Sequence, residues 1–600
     1  MRWELRQASP QITRTLADGI SSHPLLRRNP LLTELLAFLL VQRGIDLPET
    51  ALRFLTPSLN DLHSPYLMAG MKAAVERLEC AIERQEKVLI YGDYDVDGTT
   101  AVVILKTAVE LCGGATEFHV PHRIREGYDL RGDVIERAAA AGIRLVISVD
   151  AGTRAFAAAE SARQAGVDLI ITDHHLPGPA GLPPAYAVVN PNQTGCEYPS
   201  KSLCAAGIAL KLAQALMAKR LPQRDQSQLL LSFMKIAAIA TIADAVPLVG
   251  ENRVIASLGL NALRSAVNPG LKALLAVAQL GGKPLSSQEV AFRIAPRINA
   301  AGRMDVASDV IELFSVKDPS RAREIAQRLD TLNSERQEEE RRIVGLIEER
   351  LAEDAQLRDA FCMVIDGPAW HRGVIGITAK RIVERYGRPV LVISCDGEEA
   401  HGSGRSIPGF HLLQALESCE NLFSRYGGHA QAVGFSLPSA RVPELQHQLD
   451  SYARARLSSR DFESPVEIDA QLRLDAVTPE LFEAVRMLEP FGTGNPEPVF
   501  ASLGVRVLAV PKVLKDKHVR LKLGAKLEPG GASGWRRLLT HSAMGWRLAE
   551  RVAEARLLPG DVVNIAFTLD RNEHPEFGGL ELSLRDFEPG VHALSAQSAG

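Results

Sequence analysis

Cysteine is scarce in this chain. There are seven in 600 residues, an odd number with no Cys-x-x-Cys pair, which argues against a disulfide framework or a structural zinc site and predicts a reduced, cytosolic protein. No apolar run reaches the roughly 18–20 residues a membrane span needs; the best stretch, Ile236 to Val249, is shorter and holds Asp244. The opening residues, Met-Arg-Trp-Glu-Leu-Arg-Gln, lack the apolar core of a secretory signal. An excess of one charge is missing too: a net −4 excludes a polycation, so any nucleic-acid surface must be local. What is present is ordinary. Hydrophobic residues at 46% and charged residues at 23% exclude dominant disorder, and the length predicts about three or four packed units.

Residues 1–45 hold short apolar clusters and little chemistry. From Val88 a pattern repeats: Val88-Leu89-Ile90-Tyr91, Leu145 to Val149, Leu169 to Thr172 and Ala187 to Val189 are apolar runs alternating with helical segments. This is the signature of a parallel sheet covered on both faces, whose binding crevice lies beyond the carboxyl ends of the strands. The acids and histidines sit at those ends. Residues 46–317 therefore read as one α/β domain. Residues 318–356 read as a long helix, N-capped at Asp318-Pro319. Its apolar positions lie at both ends and its charged middle is expected to be wet. Residues 357–458 form a second, smaller α/β domain, and 459–590 turn to short alternating strands. Between Arg506 and Arg547 there are ten Lys/Arg against two acids, with Trp535 and Trp546 interleaved; an oligonucleotide-binding-type β-barrel is the expectation. Residues 591–600 are a tail.

Asp93-Tyr94-Asp95-Val96-Asp97-Gly98 concentrates three carboxylates on one strand-to-helix turn, where repulsion is costly unless a hard cation neutralises it. An EF-hand is excluded because the twelfth position is Ile104 rather than Glu. A haloacid-dehalogenase nucleophile would follow its strand directly, whereas Gly92-Asp93-Tyr94 intervene. Asp150 and Asp173-His174-His175 end the next strands, and Asp244 lies in an apolar run where it needs a partner. Asp95, Asp97, Asp150, His174 and Asp244 together form an oxygen-rich set with one imidazole. That set suits two Mn²⁺ or Mg²⁺ ions better than zinc, held about 3.5–4 Å apart for phosphoryl transfer.

In this order the motifs, with Gly427-Gly428-His429 after them, resemble the DHH phosphoesterase superfamily, and more closely its RecJ-type single-strand-specific exonucleases. The resemblance runs from about residue 50 to 590. It implies 5′-to-3′ digestion of single-stranded DNA to nucleotides, with manganese or magnesium, in recombination and repair. It implies Asp95, Asp97, Asp150, His174 and Asp244 as metal ligands, with Asp93 and His175 joining Asp150 in catalysis. Arg123 matches a phosphate-binding arginine, Ser403 and Arg405 a pocket for the DNA terminus, and His429 the Gly-Gly-His motif. Two positions depart from the pattern: Ala151 in place of Cys, and Asp129 in place of Gly. Single-strand-binding protein and a RecQ-type helicase are the partners implied; a monomer is the default.

Some stretches have sense without the family. Gly402-Ser403-Gly404-Arg405-Ser406 offers N–H groups, hydroxyls and a guanidinium to an end phosphate, or is a plain glycine turn. Arg297, Asn299 and Arg303 suit backbone phosphates, or structural salt bridges. Two other functions stay open: a catalytically inactive single-strand-binding scaffold, and a small-molecule phosphodiesterase or pyrophosphatase. Maintained carboxylates disfavour the first, and a strand-tracking C-terminal domain disfavours the second.

Overall fold

The apolar runs become a five-stranded, wholly parallel sheet in the order Ala115–His119, Lys87–Gly92, Leu145–Val149, Asp168–Thr172, Ala187–Val189. The computed structural model describes residues 2–27, 29–127, 129–305, 307–463, 465–525, 539–572 and 578–590. Tyr128, the tail 591–600 and, within the basic stretch, Lys526, Glu528, Trp535, Arg536 and Arg537 lie outside them. Strand residues alternate between two cores. Val88 and Ile90 pack with the helices Val96–Leu111, Ala205–Arg220 and Gln226–Ala243. Leu89 and Tyr91 pack with Gly132–Ala140 and Phe156–Gln164 on the other face. Each fully buried Val, Ile or Leu contributes about 1.5–3 kcal/mol, and the buried Ser148 and Thr172 within these strands are satisfied, donating to Ala151 O and Ser148 O, both at 2.8 Å. Chain order reverses between Lys87–Gly92 and Leu145–Val149, so the topological switch point opens between the loops that carry Asp93 and Asp150. Ala115–His119 is a partly exposed edge strand with no apolar run to reveal it.

The helix Gln226–Ala243 is long and apolar enough to cross a membrane by length and composition. In the fold it packs in the larger core, as Phe233, Met234, Ala237 and Ala240 show.

The connecting helix spans Pro319–Glu353, with Asp318 accepting from Ser320 N and Arg321 N, both at 3.1 Å. It is about 50 Å long. Ala322, Ile325 and Leu329 enter the first core, Ile343 and Ile347 a core of the second domain. Its middle is not simply wet. Asn333, Arg336 and Glu340 are buried there. Arg336 donates to Glu340 Oε2 at 2.8 Å and to Asn333 Oδ1 at 2.9 Å, and Arg381 Nε lies 2.7 Å from Glu340 Oε1. These bonds and the ion pair answer most of the buried polar atoms, while Arg336 Nε has no hydrogen-bond partner among the described residues.

The second sheet runs Arg425–Gly428, Ala432–Pro438, Glu399–Arg405, Val390–Asp396, Met363–Pro368, with only the last pair parallel. Gly402 to Arg405 is thus strand rather than turn. A side chain at Gly402 would meet the Phe435 ring. Both sheets and the connecting helix belong to one compact unit, Ser58–Phe462 with Gly492–Gly494.

The other unit joins Met1–Pro57 to Glu463–Phe491 and Asn495–Gly600. Its strands Phe500–Val507, Val562–Asn572, Gly579–Pro589, Leu539–Gly545 and His518–Ala525 pair in that order, and the last returns to pair with the first. Helices Pro10–Ile20 and Pro30–Val41 contribute Leu16, Ile20, Leu36 and Leu40 to the same core as Phe500 and Phe567. Trp546 stands 55% exposed, with the His518 ring edge-on to it at 5.0 Å.

Candidate metal centre and phosphate pocket

Asp95 opens the helix Val96–Leu111: its Oδ1 accepts from Asp97 N at 2.9 Å and Gly98 N at 3.1 Å. Asp and its kin favour this position because a short side chain satisfies N–H groups the helix leaves open. Gly98 is required by space, since a Cβ there would sit 2.6 Å from the backbone of Asp93. Asp97 points the other way. Its two oxygens accept from Ala205 N at 2.6 Å and Ala206 N at 2.8 Å, at the start of a second helix. Asp150, at φ 62°, turns the chain sharply after its strand, a conformation Asp tolerates better than most residues.

Three ligand-rich groups result. Single ligand atoms of Asp93, Asp95 and Asp150 lie within 4.8 Å of one another, as do those of Asp97, His174 and Asp244, and those of Asp150, Asp173, His174 and His175. His174 links them: Nε2 is 3.2 Å from Asp150 Oδ1 and 3.9 Å from Asp97 Oδ2, and Nδ1 is 4.0 Å from Asp244 Oδ2. The electrostatics are those of crowded acids. Burial, then the neighbouring Asp95, pushes Asp93 well above the usual carboxylate range. Burial, then Asp97, Asp95 and Asp93, does the same to Asp150. Asp244 is pushed up to about 8 by burial and by Asp97. Asp93 Oδ1 is buried with no hydrogen-bond partner among the described residues, a cost of about 1–3 kcal/mol that a cation would remove. Hard oxygen donors with one imidazole fit Mn²⁺ or Mg²⁺.

Asp173 is the residue that sequence reasoning left without a role. It is buried and accepts from Thr153 N at 3.0 Å, from His174 N at 2.8 Å and from the His175 ring at 2.7 Å. Burial would raise it, yet the His175 hydrogen bond holds it far below the ordinary value. Asn190 and Asn192 extend the support, donating to the carbonyls of His175 at 2.8 Å and His174 at 2.7 Å. The Asn-Pro-Asn sequence at a strand end was the only signal of this.

A cationic pocket adjoins the acids. Arg123 lays its guanidinium over the Tyr94 ring at 4.2 Å, and its Nε is buried without a partner among the described residues. Arg303 is pushed down to about 9 by burial and by Arg123, with Arg405 adding to the effect. Arg405 is lowered by burial and by Arg123, and it donates to Ser403 Oγ at 3.1 Å. Arg303 also donates to Gly373 O at 3.1 Å, tying the two α/β domains together at this point. Three mutually repelling guanidiniums call for an anion. His429 lies within electrostatic reach of His175 rather than of these arginines, its imidazole lowered by burial, Arg154 and His175. Two expected phosphate contacts are engaged elsewhere. Arg297 Nε bonds Asp330 of the connecting helix at 2.8 Å, and Asn299 Oδ1 accepts from Val96 N at 3.2 Å, bracing the acidic turn. Asp129 sits at φ 89° and accepts from Leu130 N. Burial raises its carboxyl above the ordinary value.

Comparison with known proteins agrees with this geometry. The DHH family N-terminal domain matches residues 87–241, the DHHA1 domain 359–455 and the RecJ OB domain 468–586. A single-stranded-DNA-specific exonuclease RecJ of Bacillus subtilis is 37% identical over 88% of this chain, which spans 63% of that relative's length. Its counterpart in Dickeya dadantii is 36% identical over 82% of this chain and 86% of its own. A crystal structure of RecJ with Mn²⁺ from Thermus thermophilus superposes with TM-score 0.80 at 28% identity, covering 100% of this chain and 81% of that one. An exonuclease RecJ bound to manganese matches 68% of this chain and 99% of its own, with TM-score 0.58 at 33% identity.

Proposed function

Because this chain belongs to the RecJ family of single-stranded-DNA-specific exonucleases, we propose that it is a metal-dependent exonuclease degrading single-stranded DNA to nucleotides from the 5′ end. The observation that carries this reading is the buried, unpartnered Asp93 Oδ1 amid carboxylates within 4.8 Å of each other. A scaffold or a mere binding module gains nothing from such crowding. Its cofactor is Mn²⁺ or Mg²⁺, as in the Thermus structures solved with each ion.

Asp93, Asp95 and Asp150 would hold one ion and Asp97, His174 and Asp244 a second, the two groups meeting where His174 Nε2 lies 3.2 Å from Asp150 Oδ1. Bound there, the ions supply a nucleophilic water at neutral pH and charge stabilisation for the leaving oxygen. The side chains of this protein do the rest. Asp173 fixes the His175 ring, so that its outer nitrogen meets the scissile phosphate. Arg123, Arg303, Arg405 and Ser403 grip the terminal phosphate, and His429 closes the pocket from the second domain. An end pocket of this kind gives exonucleolytic rather than internal cleavage. The OB domain, with Trp546 on its surface, holds the strand that remains. Action in recombination and repair, in the cytoplasm, as a monomer beside single-strand-binding protein and a RecQ-type helicase, completes the reading.

The test is release of label from 5′- and 3′-labelled single strands with Mn²⁺ or Mg²⁺, beside duplex and Asp150→Asn controls. Metal-dependent 5′ release from single strands alone is expected. Binding without cleavage under every metal condition would leave the scaffold reading in its place.

A further inference from the structure

The segment that delivers Asn299 and Arg303 to the site begins with an irregular turn. Val290–Ile294 is a π-helix, in which Ala295 N reaches back to Val290 O, and Ala295–Met304 continues it as α-helix. Such bulges insert a residue and re-aim the side chains around them, often at functional sites. One face of the segment is core: Val290, Ile294, Ala295, Ile298 and Ala301 are all at or below 3% exposure. The opposite stripe is Phe292, Pro296, Asn299 and Arg303, spaced by four, three and four, which is one helical face. Asn299 on that stripe braces the acidic turn and Arg303 lines the cationic pocket. Phe292 on the same stripe is 76% exposed.

Resting on the reading of this chain as a single-strand exonuclease, we infer that Phe292 is a nucleobase-stacking residue for the incoming strand, downstream of its gripped end. A lone exposed aromatic is usually unremarked surface. This one is continuous, along a single helix face, with residues at the reacting site, and it stands on the bulge that turns it outward. An unpaired nucleobase is the occupant its chemistry suits, since every base has a face to stack on an aromatic ring whatever the sequence. From Arg303 to Phe292 the helix rises roughly 16 Å. At about 3.4 Å per stacked nucleotide, and more when the strand is extended, Phe292 meets about the third to fifth nucleotide from the end. The residue therefore sets a length threshold: substrates too short to reach it gain nothing from it.

The experiment compares hydrolysis of 5′-phosphorylated dinucleotide and decanucleotide by wild-type protein and Phe292→Ala with Mn²⁺, and repeats it with a single abasic position moved along the decanucleotide. Loss of one stacked base is worth about tenfold, so the decanucleotide-to-dinucleotide ratio of kcat/KM should fall about tenfold in Phe292→Ala. Phe292→Trp should restore it. An abasic site at one of positions three to five should cost the wild type the same factor and the variant nothing further. Equal losses on both lengths, no loss at all, or abasic effects that add to the substitution would overturn the inference. A wild-type protein that cleaves no single strand would instead overturn the nuclease reading, and this one with it.

Discussion

The ring of His175 donates its Nδ1 proton to Asp173 Oδ1 across 2.7 Å. The direction is settled by charge. Asp173 also accepts from Thr153 N at 3.0 Å and His174 N at 2.8 Å, the surroundings of an ionised carboxylate, which can only accept. The bond fixes the tautomer and turns the other ring nitrogen away from Asp173, the arrangement a histidine needs to act on a phosphate.

Asp173→Asn keeps an oxygen for the backbone N–H groups and removes the charge. Burial lowers the His175 pKa, but Asp173 more than offsets it, so the net shift is upward. The variant should titrate His175 at lower pH and lose about 10–100-fold in kcat/KM, the usual range for a supporting partner of a metal site. Ring-proton NMR across pH checks the first and single-strand hydrolysis the second. An unmoved His175 titration would mean that the tether is structural only.

Metal and protons compete for the acids. Asp93 and Asp150 are raised well above their ordinary values and Asp244 to about 8, all chiefly by burial. Folded carboxyls with raised pKa bind more protons than the unfolded chain, so their contribution to stability is complete below about pH 4 and is lost as pH rises through about 8. Metal-free protein should accordingly show a falling Tm from pH 5 to pH 8, and Mn²⁺ should raise Tm most at the upper end. Calorimetry of Mn²⁺ binding at pH 7 in buffers of different ionisation enthalpy should record proton release. Binding enthalpies that do not depend on the buffer would contradict the raised values.

The outcome shows which parts of such a site are visible in a chain. Alternation of apolar runs with helices located the sheet, and polar residues at strand ends pointed to Asp93, Asp95, Asp97, Asp150 and His174, whose ligand atoms the fold gathers into groups, because both follow from local pattern. Partners joined only by folding were hidden. Nothing near Arg297 announces Asp330 thirty-three positions on, and nothing near Asn299 announces the N–H of Val96. The stretch with glycines at 402 and 404 read as an anion-binding segment or a plain turn; it is a strand in which those glycines make room for Phe435 and Leu412. Residues 1–45 carry little chemistry and residues 46–57 read as the start of the α/β domain, so their grouping with the C-terminal residues was beyond any local reading.

The three arginines of the pocket make a separate expectation. Arg405 bonds Ser403, and burial and the neighbouring Arg123 lower its affinity for its proton. An end phosphate relieves that repulsion, whereas a hydroxyl end does not. Arg405→Ala should raise KM for a 5′-phosphorylated strand several-fold and change that for a 5′-hydroxyl strand little. The slope of log affinity against log salt should shrink by about one unit. Equal effects on both ends would place Arg405 outside the terminal pocket.

Between the two α/β domains the buried middle of the connecting helix gives the last expectation. Arg336 and Glu340 are 11% and 4% exposed at the side chain and 2.8 Å apart, and Arg381, half exposed, reaches the other Glu340 oxygen. Removing one partner of a buried pair leaves a charge with nothing to answer it, at about 3–5 kcal/mol, while replacing the pair with apolar groups of similar size is often neutral. Glu340→Ala should therefore lower the urea midpoint markedly. Arg336→Met with Glu340→Leu should recover much of the loss, short of full recovery because Arg381 then lacks its acid. A double variant as unstable as the single would mean that the network's hydrogen bonds, and not the isolated charge, hold the helix between the domains.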